Sequence, residues 1–255
     1  MDFNLESLRK DAVEIAGIGG DSTLKFFKKS FDLEFKKDQS PVTNADRNAE
    51  MLMRNAIKSR YPDHGIIGEE FGRERDDADV VWVLDPIDGT QSFIHGVPFY
   101  TTLIGILIEG KPEVGVIYAP ALNEMVSAAT GSGCTLNREK VHVRQCDKLA
   151  DATFLTTDME HVYDHGYKEQ FEKLLAETRL HRTWGDAYGH MMVATGRADF
   201  MFDPILNLWD AAALLPVVKE AGGSYFDIKG NETVTTGSAI SANPALKSSI
   251  LSYFE

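Results

Sequence analysis

Two carboxylates directly follow an unbroken apolar segment of this sequence. Asp85 and Asp88 stand three residues apart after the apolar run at 80–84, and Pro86 stiffens the backbone between them. Gly89 and Thr90 come next, and we expect them to open a turn whose free N–H groups can hold a phosphate. The segment therefore combines acids that could bind a cation with a backbone that could bind an anion.

Three further acids lie in comparable settings. Glu69 follows a strand-like stretch and a glycine, Asp210 begins a helix-like stretch, and Asp46 stands at the head of another. Each alone is also explained as a helix cap or a turn residue, because acids are favoured at both places. Several carboxylates held close together stay ionised only if a cation neutralises them, and Mg²⁺ prefers such oxygen ligands. Together the acids predict a magnesium site.

The composition is that of a globular chain with an acidic surface. Hydrophobic residues make up 43% of the 255 residues, charged residues make up 25%, and the formal net charge is −13. The absence of a basic excess argues against nucleic acid or an anionic membrane as the main partner. Cys134 and Cys146 lack Cys-x-x-Cys spacing and suggest neither a disulfide scaffold nor a zinc site, so we expect a cytoplasmic protein. No stretch resembles a signal peptide or a membrane span.

Apolar periodicity predicts secondary structure along the whole chain. The first helix is expected to begin near Leu5 and to stop at Gly19 and Gly20, and a second has its apolar face between Ala45 and Ile57. A surface loop is expected at 73–79 and an antiparallel meander at 100–130. Beyond residue 152 we expect strands at 153–156, 181–183 and 200–202, and helices at 168–177, 188–195, 209–221 and after Pro244.

Helices and strands alternate throughout, which indicates an α/β fold of layered helices and sheets. We expect an αβαβα sandwich whose first sheet is mostly antiparallel. The chain is long enough for a single catalytic domain with its own core. Within it we expect two lobes, 1–145 carrying the metal site and 146–255 on the substrate side, with the junction at 140–152.

Four motifs occur together in a characteristic order. They are SPVTNAD at 40–46, GEE at 68–70, DPIDGT at 85–90 and WDAAALLPVVKEAGG at 209–223. The set resembles the signature of the inositol monophosphatase superfamily, which comprises Mg²⁺-dependent, lithium-sensitive phosphatases. The motifs span most of the chain, and their combination is far more specific than any one of them.

The resemblance implies a set of metal ligands. Glu69, Asp85 and the Ile87 carbonyl would hold one Mg²⁺. Asp85, Asp88 and Asp210 would hold a second, and Glu69 can share in a third, weaker site. Two to three ions are therefore expected at each active site.

The resemblance also implies catalytic and phosphate-binding residues. Asp46 and Thr90 would orient or deprotonate the attacking water, with Glu69 contributing on the metal side. Asp88, Gly89 and Thr90 would face the phosphate of a small phosphorylated metabolite. Paired metals favour both the entering and the leaving oxygen of an in-line displacement, so no covalent enzyme intermediate is required. The family is commonly dimeric, which makes a homodimer possible.

Three other interpretations of the acids are less well supported by the sequence. DPIDGT is one residue from the Asp-x-Asp-Gly-Thr nucleophile motif of haloacid-dehalogenase-like enzymes, but that motif normally lies near the start of the chain. An EF-hand fails because the ladder of oxygen ligands is missing. A binding module that has lost catalysis would be expected to lose ligands, yet every acid and Thr90 are present. The lysines at 36–37 are either a solvated face or neighbours of the metal site.

The stretch TWGDAYGHMMVATGRADFMFDP at 183–204 bears on the substrate. It is more similar to the bacterial histidinol-phosphatase branch, and thus to histidine biosynthesis, than to the animal inositol enzymes. Asp186 and Asp203 would pair with the ammonium and imidazole of histidinol phosphate. Asp186 is equally well explained as a helix N-cap after Gly185, and His190 as a packed histidine. An inositol 1-phosphate phosphatase, or a broader sugar or polyol phosphatase, is the alternative.

Overall fold

The computed structural model describes residues 3–36 and 41–254. Two β-sheets and three layers of helices alternate in it, which confirms the predicted layered α/β fold. The first half begins with helix α1 (Leu5–Thr23) and a two-stranded antiparallel ribbon, β1 (Leu33–Phe35) and β2 (Pro41–Thr43). Helix α2 (Asn44–Arg60) follows and packs beside α1 on the outer face of the first sheet.

The first sheet contains eight strands in the described residues, with the spatial order β10-β9-β8-β7-β6-β5-β3-β4. All its neighbouring pairs are antiparallel except β3 with β5, so the prediction of a mostly antiparallel sheet is confirmed. The short helix α3 (Thr90–Ile94) directly follows β5. The strands are β3 (Gly65–Gly68), β4 (Gly72–Glu74), β5 (Val80–Asp88), β6 (Thr101–Ile108), β7 (Lys111–Ala119), β8 (Glu124–Ala129), β9 (Gly133–Leu136) and β10 (Glu139–Lys140).

In the part of the chain that the structure describes, the second sheet contains five strands in the order β12-β11-β13-β15-β14, with β11 parallel to both its neighbours. Its strands are β11 (Thr153–Leu155), β12 (Leu180–Arg182), β13 (Phe200–Asp203), β14 (Ser224–Phe226) and β15 (Ala239–Ala242). The helices of this half are α4 (Met159–Asp164), α5 (Lys168–Glu177), α6 (Asp186–Ala194), α7 (Leu208–Ala211), α8 (Leu214–Glu220) and α9 (Lys247–Leu251).

The hydrophobic clusters define the layers. Helices α1 and α2 cover one face of the first sheet, and α4, α5 and α9 cover the outer face of the second. Helices α6 and α8 lie between the sheets and share one core with both. Strand β5 is also covered on both faces, by α1 and α2 on one side and by Leu208, Trp209 and Ala212 on the other, which explains why its sequence is continuously apolar instead of alternating. Because the middle layer joins both halves, the division into two lobes near 140–152 stays a prediction.

Several element boundaries differ from the sequence-based expectations. Helix α1 does not stop at its glycine pair, because these glycines permit close packing: a Cβ on Gly19 would lie 2.7 Å from Met53, and one on Gly20 would lie 2.5 Å from Tyr118. The expected loop 73–79 contains the end of β4, the expected helix 209–221 is two helices, and β1, β2, β9, β10, β14, β15 and α4 were not predicted. No helix within 3–36 and 41–254 has the length and apolarity that a bilayer crossing requires.

Candidate active site

A bulge in β5 brings the first two acids to one side of the strand. Between the Asp85–Leu103 and Asp88–Thr101 pairs, β5 has two residues where β6 has one. Residues three apart in a regular strand point to opposite faces, and one extra residue reverses that alternation. The strand thus runs on through Asp88, four residues beyond the expected end at Leu84.

Asp210, at the start of helix α7, completes a compact group with Asp85 and Asp88. One carboxylate oxygen from each residue lies within 4.8 Å of the others. Asp85 is only 2% exposed. Among the described residues, no lysine or arginine forms an ion pair with any of the three. Oxygen donors gathered in this way fit a hard divalent cation such as Mg²⁺.

The electrostatics of this group are those of an uncompensated acid cluster. Burial raises the pKa of Asp85 well above its ordinary value, and the charges of Glu69, Asp88 and Asp210 raise it further. Burial, with the charges of Asp186 and Asp210, likewise raises the pKa of Asp88. Burial also raises the pKa of Asp210. A bound cation would reverse this, because it favours the ionised carboxylates.

Asp46 and Asp210 both cap a helix; Asp210 belongs to the acid cluster, and the charge of Asp46 acts on Asp85 of that cluster. Each is the third residue of its helix in a capping box, in which its Oδ2 accepts the N–H of Thr43 at 2.8 Å or of Asn207 at 2.6 Å. The Oδ1 atom of Asp46 is buried and has no hydrogen-bond partner among the described residues. Burial raises the pKa of Asp46 to about 6. The capping interpretation and the site interpretation are therefore compatible.

Glu69 lies in the three-residue loop of the β3–β4 hairpin. Gly72 closes that loop with a positive φ of 69°, which is typical of such turns. Lys36 contacts Glu69 at 2.7 Å and Glu70 at 2.6 Å, so it lies beside the acid cluster instead of on a solvated face. Burial raises the pKa of Glu69 to about 7, although Lys36 opposes the shift. Lys37 and Ser40 lie outside the described residues.

The Gly-Thr pair after β5 begins helix α3 instead of an isolated turn. Gly89 has a positive φ of 78° and is the N-cap residue of that helix. The Thr90 hydroxyl donates to the Ile87 carbonyl oxygen at 3.0 Å, so the two groups expected at the metal and water positions lie together. A Cβ on Gly89 would lie 2.7 Å from Asp186 Oδ2, which requires a glycine at this point.

Helix α6 brings Asp186 to the same place. The N-cap residue of α6 is Gly185 and Asp186 follows it, so the alternative explanation of Asp186 as an N-cap is wrong. Asp186 has a φ of 53°, which is uncommon for a residue with a side chain and often marks a functional site. Burial raises the pKa of its carboxyl to about 7, and the charges of Asp203 and Asp210 contribute.

Asp203 belongs to a buried chain of hydrogen bonds. Its Oδ1 accepts from the Thr157 hydroxyl at 2.7 Å, and its Oδ2 lies 3.1 Å from His190 Nε2. His190 is fully buried, and its Nδ1 contacts Ser241 Oγ at 2.6 Å. Thr157 Oγ1 in turn accepts the backbone N–H of Asp186 at 2.7 Å. The chain therefore connects the second sheet to the strained first residue of α6.

A cleft of about 560 Å³ opens onto these residues, within the range of small-molecule sites. Glu69, Gly89 and Thr90 line one part of it. Asp158, His161, Thr183, Trp184 and Asp186 also line it, and we call this group the substrate wall; Asp203 is not among the lining residues. Asp85, Asp88 and Asp210 do not line the cleft either, so the cleft borders the acid cluster through Glu69 and Asp186, whose charges act on Asp85 and Asp88.

A layered α/β fold with a buried acid cluster beside a small-molecule cleft is an arrangement that could support metal-assisted chemistry on a phosphate ester. Residues 4–255 match the inositol monophosphatase family, and the chain belongs to that family of phosphomonoesterases. It is 42% identical over 237 residues to a histidinol-phosphatase of Chlorobaculum parvum, covering 92% of each chain. It is 33% identical over 254 residues to an inositol monophosphatase of Mesembryanthemum crystallinum, covering 96% of this chain and 94% of the relative.

The fold agrees with this membership. A solved structure of an inositol monophosphatase from Zymomonas mobilis superposes with a TM-score of 0.88 at 33% identity, covering 99% of both chains. The haloacid-dehalogenase and EF-hand interpretations are thereby excluded, since both belong to other folds. The relatives include both histidinol-phosphatases and inositol monophosphatases, so the family membership fixes the reaction class and leaves the substrate open.

Sequence reasoning missed several residues that support the acids. Thr101 donates to Asp88 at 3.0 Å, and Glu50 and Arg54 hold the Glu69 loop from beneath. Thr157 links Asp186 to Asp203. The sequence carried one signal for Glu50 and Arg54. Charged residues at 46, 50 and 54 are four apart on helix α2, so they lie on one side of the helix together with its buried apolar residues.

Proposed function

We propose that this chain is a Mg²⁺-dependent histidinol-phosphate phosphatase. The observation that carries the proposal is the placement of Asp186, whose carboxylate lies in the cleft next to Gly89 and caps no helix. It supplies a second acidic position beyond the phosphate end of the cleft. The identity to a histidinol-phosphatase supports the same substrate.

Glu69, Asp85, Asp88, Asp210 and the Ile87 carbonyl are the proposed metal ligands. Bound there, Mg²⁺ would neutralise the acids, orient the phosphate and assist both the attack of water and the departure of the leaving oxygen. Their shared elevation of pKa supports this role, since acids that raise one another's pKa are those a cation stabilises most. Two to three ions remain the proposed stoichiometry.

Asp46 and Thr90 are the proposed partners of the attacking water. The unpaired Oδ1 of Asp46 can accept a proton or a hydrogen bond, while its Oδ2 holds the carboxyl in place through Thr43. The Thr90 hydroxyl lies against the Ile87 carbonyl and lines the cleft. A base with a pKa of about 6 is well matched to work near neutral pH.

Charge and shape of the cleft support the proposed substrate. Beyond the phosphate end, the wall presents the carboxylates of Asp158 and Asp186 and the ring of Trp184. Carboxylates stabilise an ammonium by charge-assisted hydrogen bonds, and an aromatic ring can contact an imidazole or a cation. Inositol phosphate offers only hydroxyls to these groups and gains less from their charge.

Asp203 is assigned a role other than direct contact with the substrate. Both its oxygens are engaged, one by Thr157 and one by His190, and the residue does not line the cleft. We therefore propose that Asp203 positions Asp186 through Thr157. This replaces the sequence-based expectation that Asp203 itself pairs with the substrate.

An inositol 1-phosphate phosphatase is the second candidate, favoured by the inositol monophosphatase of Mesembryanthemum crystallinum at 33% identity. The first test is phosphate release from histidinol phosphate in EDTA and after Mg²⁺ is added back. We expect no turnover in EDTA and full recovery with Mg²⁺, and turnover unaffected by EDTA would refute the proposal. A homodimer, a cytoplasmic location and lithium sensitivity also remain proposals, and sedimentation in solution tests the first.

A further inference from the structure

The tip of the β3–β4 hairpin lies at the edge of the first sheet, where β4 has no further strand neighbour among residues 3–36 and 41–254. Its three loop residues include Glu69, which the proposed function assigns to the metal. A short edge hairpin is easily displaced unless other elements hold it. The position of the Glu69 carboxylate therefore depends on what fastens this loop.

A buried ion pair from helix α2 fastens it. Glu50 is fully buried, and its two carboxylate oxygens accept the backbone N–H groups of Glu70 at 2.7 Å and of Phe71 at 3.2 Å. Arg54 donates from Nε to Glu50 at 2.7 Å and from Nη2 to the carbonyl oxygen of Gly72. The pair thus binds three consecutive residues that follow Glu69.

The residue before Glu69 is Gly68, whose lack of a side chain leaves room for the Glu50 carboxylate. A Cβ on Gly68 would lie 2.0 Å from Glu50 Oε1, so any side chain there would expel the carboxylate. Within the described part of the chain, the hydrogen bonds of Glu69 itself are that of its N–H to the Leu84 carbonyl at 3.2 Å and that of Lys36 to its carboxylate. The Glu50 carboxylate consequently contacts the loop on both sides of Glu69.

The same helix face also carries Asp46. Residues 46, 50 and 54 are four apart and therefore follow one another along one side of α2. Asp46 is held at the first turn, and the Glu50–Arg54 pair lies one and two turns further along. One rigid element thereby sets the proposed base and the proposed metal ligand relative to each other.

We propose that Glu50, with Arg54, is a positioning residue that sets the affinity of the site for Mg²⁺ by fixing the Glu69 loop. This inference rests on the proposed role of Glu69 as a metal ligand. Outer partners of metal ligands typically contribute about 10–100-fold in metal affinity. Since Glu50 does not reach the cleft, its loss should act on metal binding more than on the step at saturating metal.

The test is a Mg²⁺ titration of Glu50→Gln without substrate, by calorimetry and by the Mg²⁺-induced rise in Tm, with kcat measured at saturating Mg²⁺. The amide keeps the side-chain shape but cannot accept all three N–H donors. We expect Mg²⁺ affinity to fall about 10-fold or more while kcat changes less than about 3-fold. Arg54→Lys keeps the positive charge but loses the guanidinium group that bonds to both Glu50 and Gly72. It should lower Mg²⁺ affinity by a smaller factor.

Two reference variants make the result decisive. Asp199→Asn breaks another ion pair, between the buried Asp199 just before β13 and the part-exposed Arg144, and should lower Tm without changing Mg²⁺ affinity. Glu69→Gln should weaken Mg²⁺ binding directly. If Glu69→Gln weakens binding and neither Glu50→Gln nor Arg54→Lys does, the inference is overturned while the proposed function survives. If Glu69→Gln has no effect, the ligand assignment itself fails.

Discussion

The backbone N–H of Ala187 donates to Asp88 Oδ2 at 2.8 Å and joins the two halves of the active site. Asp88 ends strand β5 of the first sheet, whereas Ala187 lies in the first turn of α6, which packs against the second sheet. One hydrogen bond to a proposed metal ligand therefore fixes the position of the substrate wall relative to the acid cluster. A small displacement of α6 should consequently change metal binding and substrate binding together.

Asp88→Asn should abolish activity and stabilise the metal-free protein. Loss of a ligand should cost more than the roughly 10–100-fold that outer partners cost, so we expect kcat/KM to fall more than about 100-fold. The neutral amide relieves the repulsion from Asp186 and Asp210, and each kcal/mol gained raises Tm by about 2–4 °C in a chain of this size. Assays and melting curves in EDTA measure both effects; full activity would show that the ligand assignment is wrong.

Stability of the metal-free protein should fall as the pH rises from about 4 to about 7. The pKa values of Glu69 and Asp186 are raised to about 7, and that of Asp46 to about 6. Between the ordinary carboxyl pKa and these values, the folded state binds more protons than the unfolded state, so its advantage is lost as the pH increases. Melting curves in EDTA should show a declining Tm, and saturating Mg²⁺ should remove most of the decline. A Tm that rises across this range without metal would contradict the burial of the cluster.

Asp46→Asn should lower kcat and leave Mg²⁺ binding largely unchanged. General-base assistance contributes about 10²–10⁴-fold, so we expect a loss in that range at saturating metal. In the unmodified protein kcat should rise with pH through about 6, because the base must be deprotonated. The rise of kcat with pH through about 6 should be absent from the pH profile of Asp46→Asn. If the rise is unchanged in the variant, a group other than Asp46 causes it.

Thr157→Val should impair the substrate wall selectively. The substitution removes the acceptor for the Asp186 N–H and the donor to Asp203, whereas Thr157→Ser retains both. A lost hydrogen bond in a buried network costs about 1–3 kcal/mol, so kcat/KM for histidinol phosphate should fall about 10-fold or more. The serine variant should remain within about 3-fold. Hydrolysis of p-nitrophenyl phosphate, which lacks an ammonium group, should change less, and equal effects on both substrates would refute the positioning role.

The layered fold was predictable because the periodic apolar residues of the sequence are those that the helices and strands bury against one another. The grouping of Asp85, Asp88 and Asp210 was predictable because each follows an apolar strand-like stretch or begins a helix-like one in the sequence. The bulge in β5 was not, since nothing in the residue types at 85–88 reveals an extra residue against β6. The glycines of α1 were misjudged because close packing and helix termination both favour glycine. The engagement of Asp203 by Thr157 and His190 was not predictable because it depends on contacts distant in sequence.

The measurement that tests the account most directly compares kcat/KM for histidinol phosphate and for inositol 1-phosphate under saturating Mg²⁺. Both substrates place a phosphate over the same acid cluster, so the ratio isolates the wall formed by Asp158, Trp184 and Asp186. Asp186→Asn serves as the matched variant and should reduce the ratio. We predict that histidinol phosphate is preferred by well over about 10-fold, which corresponds to about 1.4 kcal/mol. A preference for inositol 1-phosphate would contradict the account.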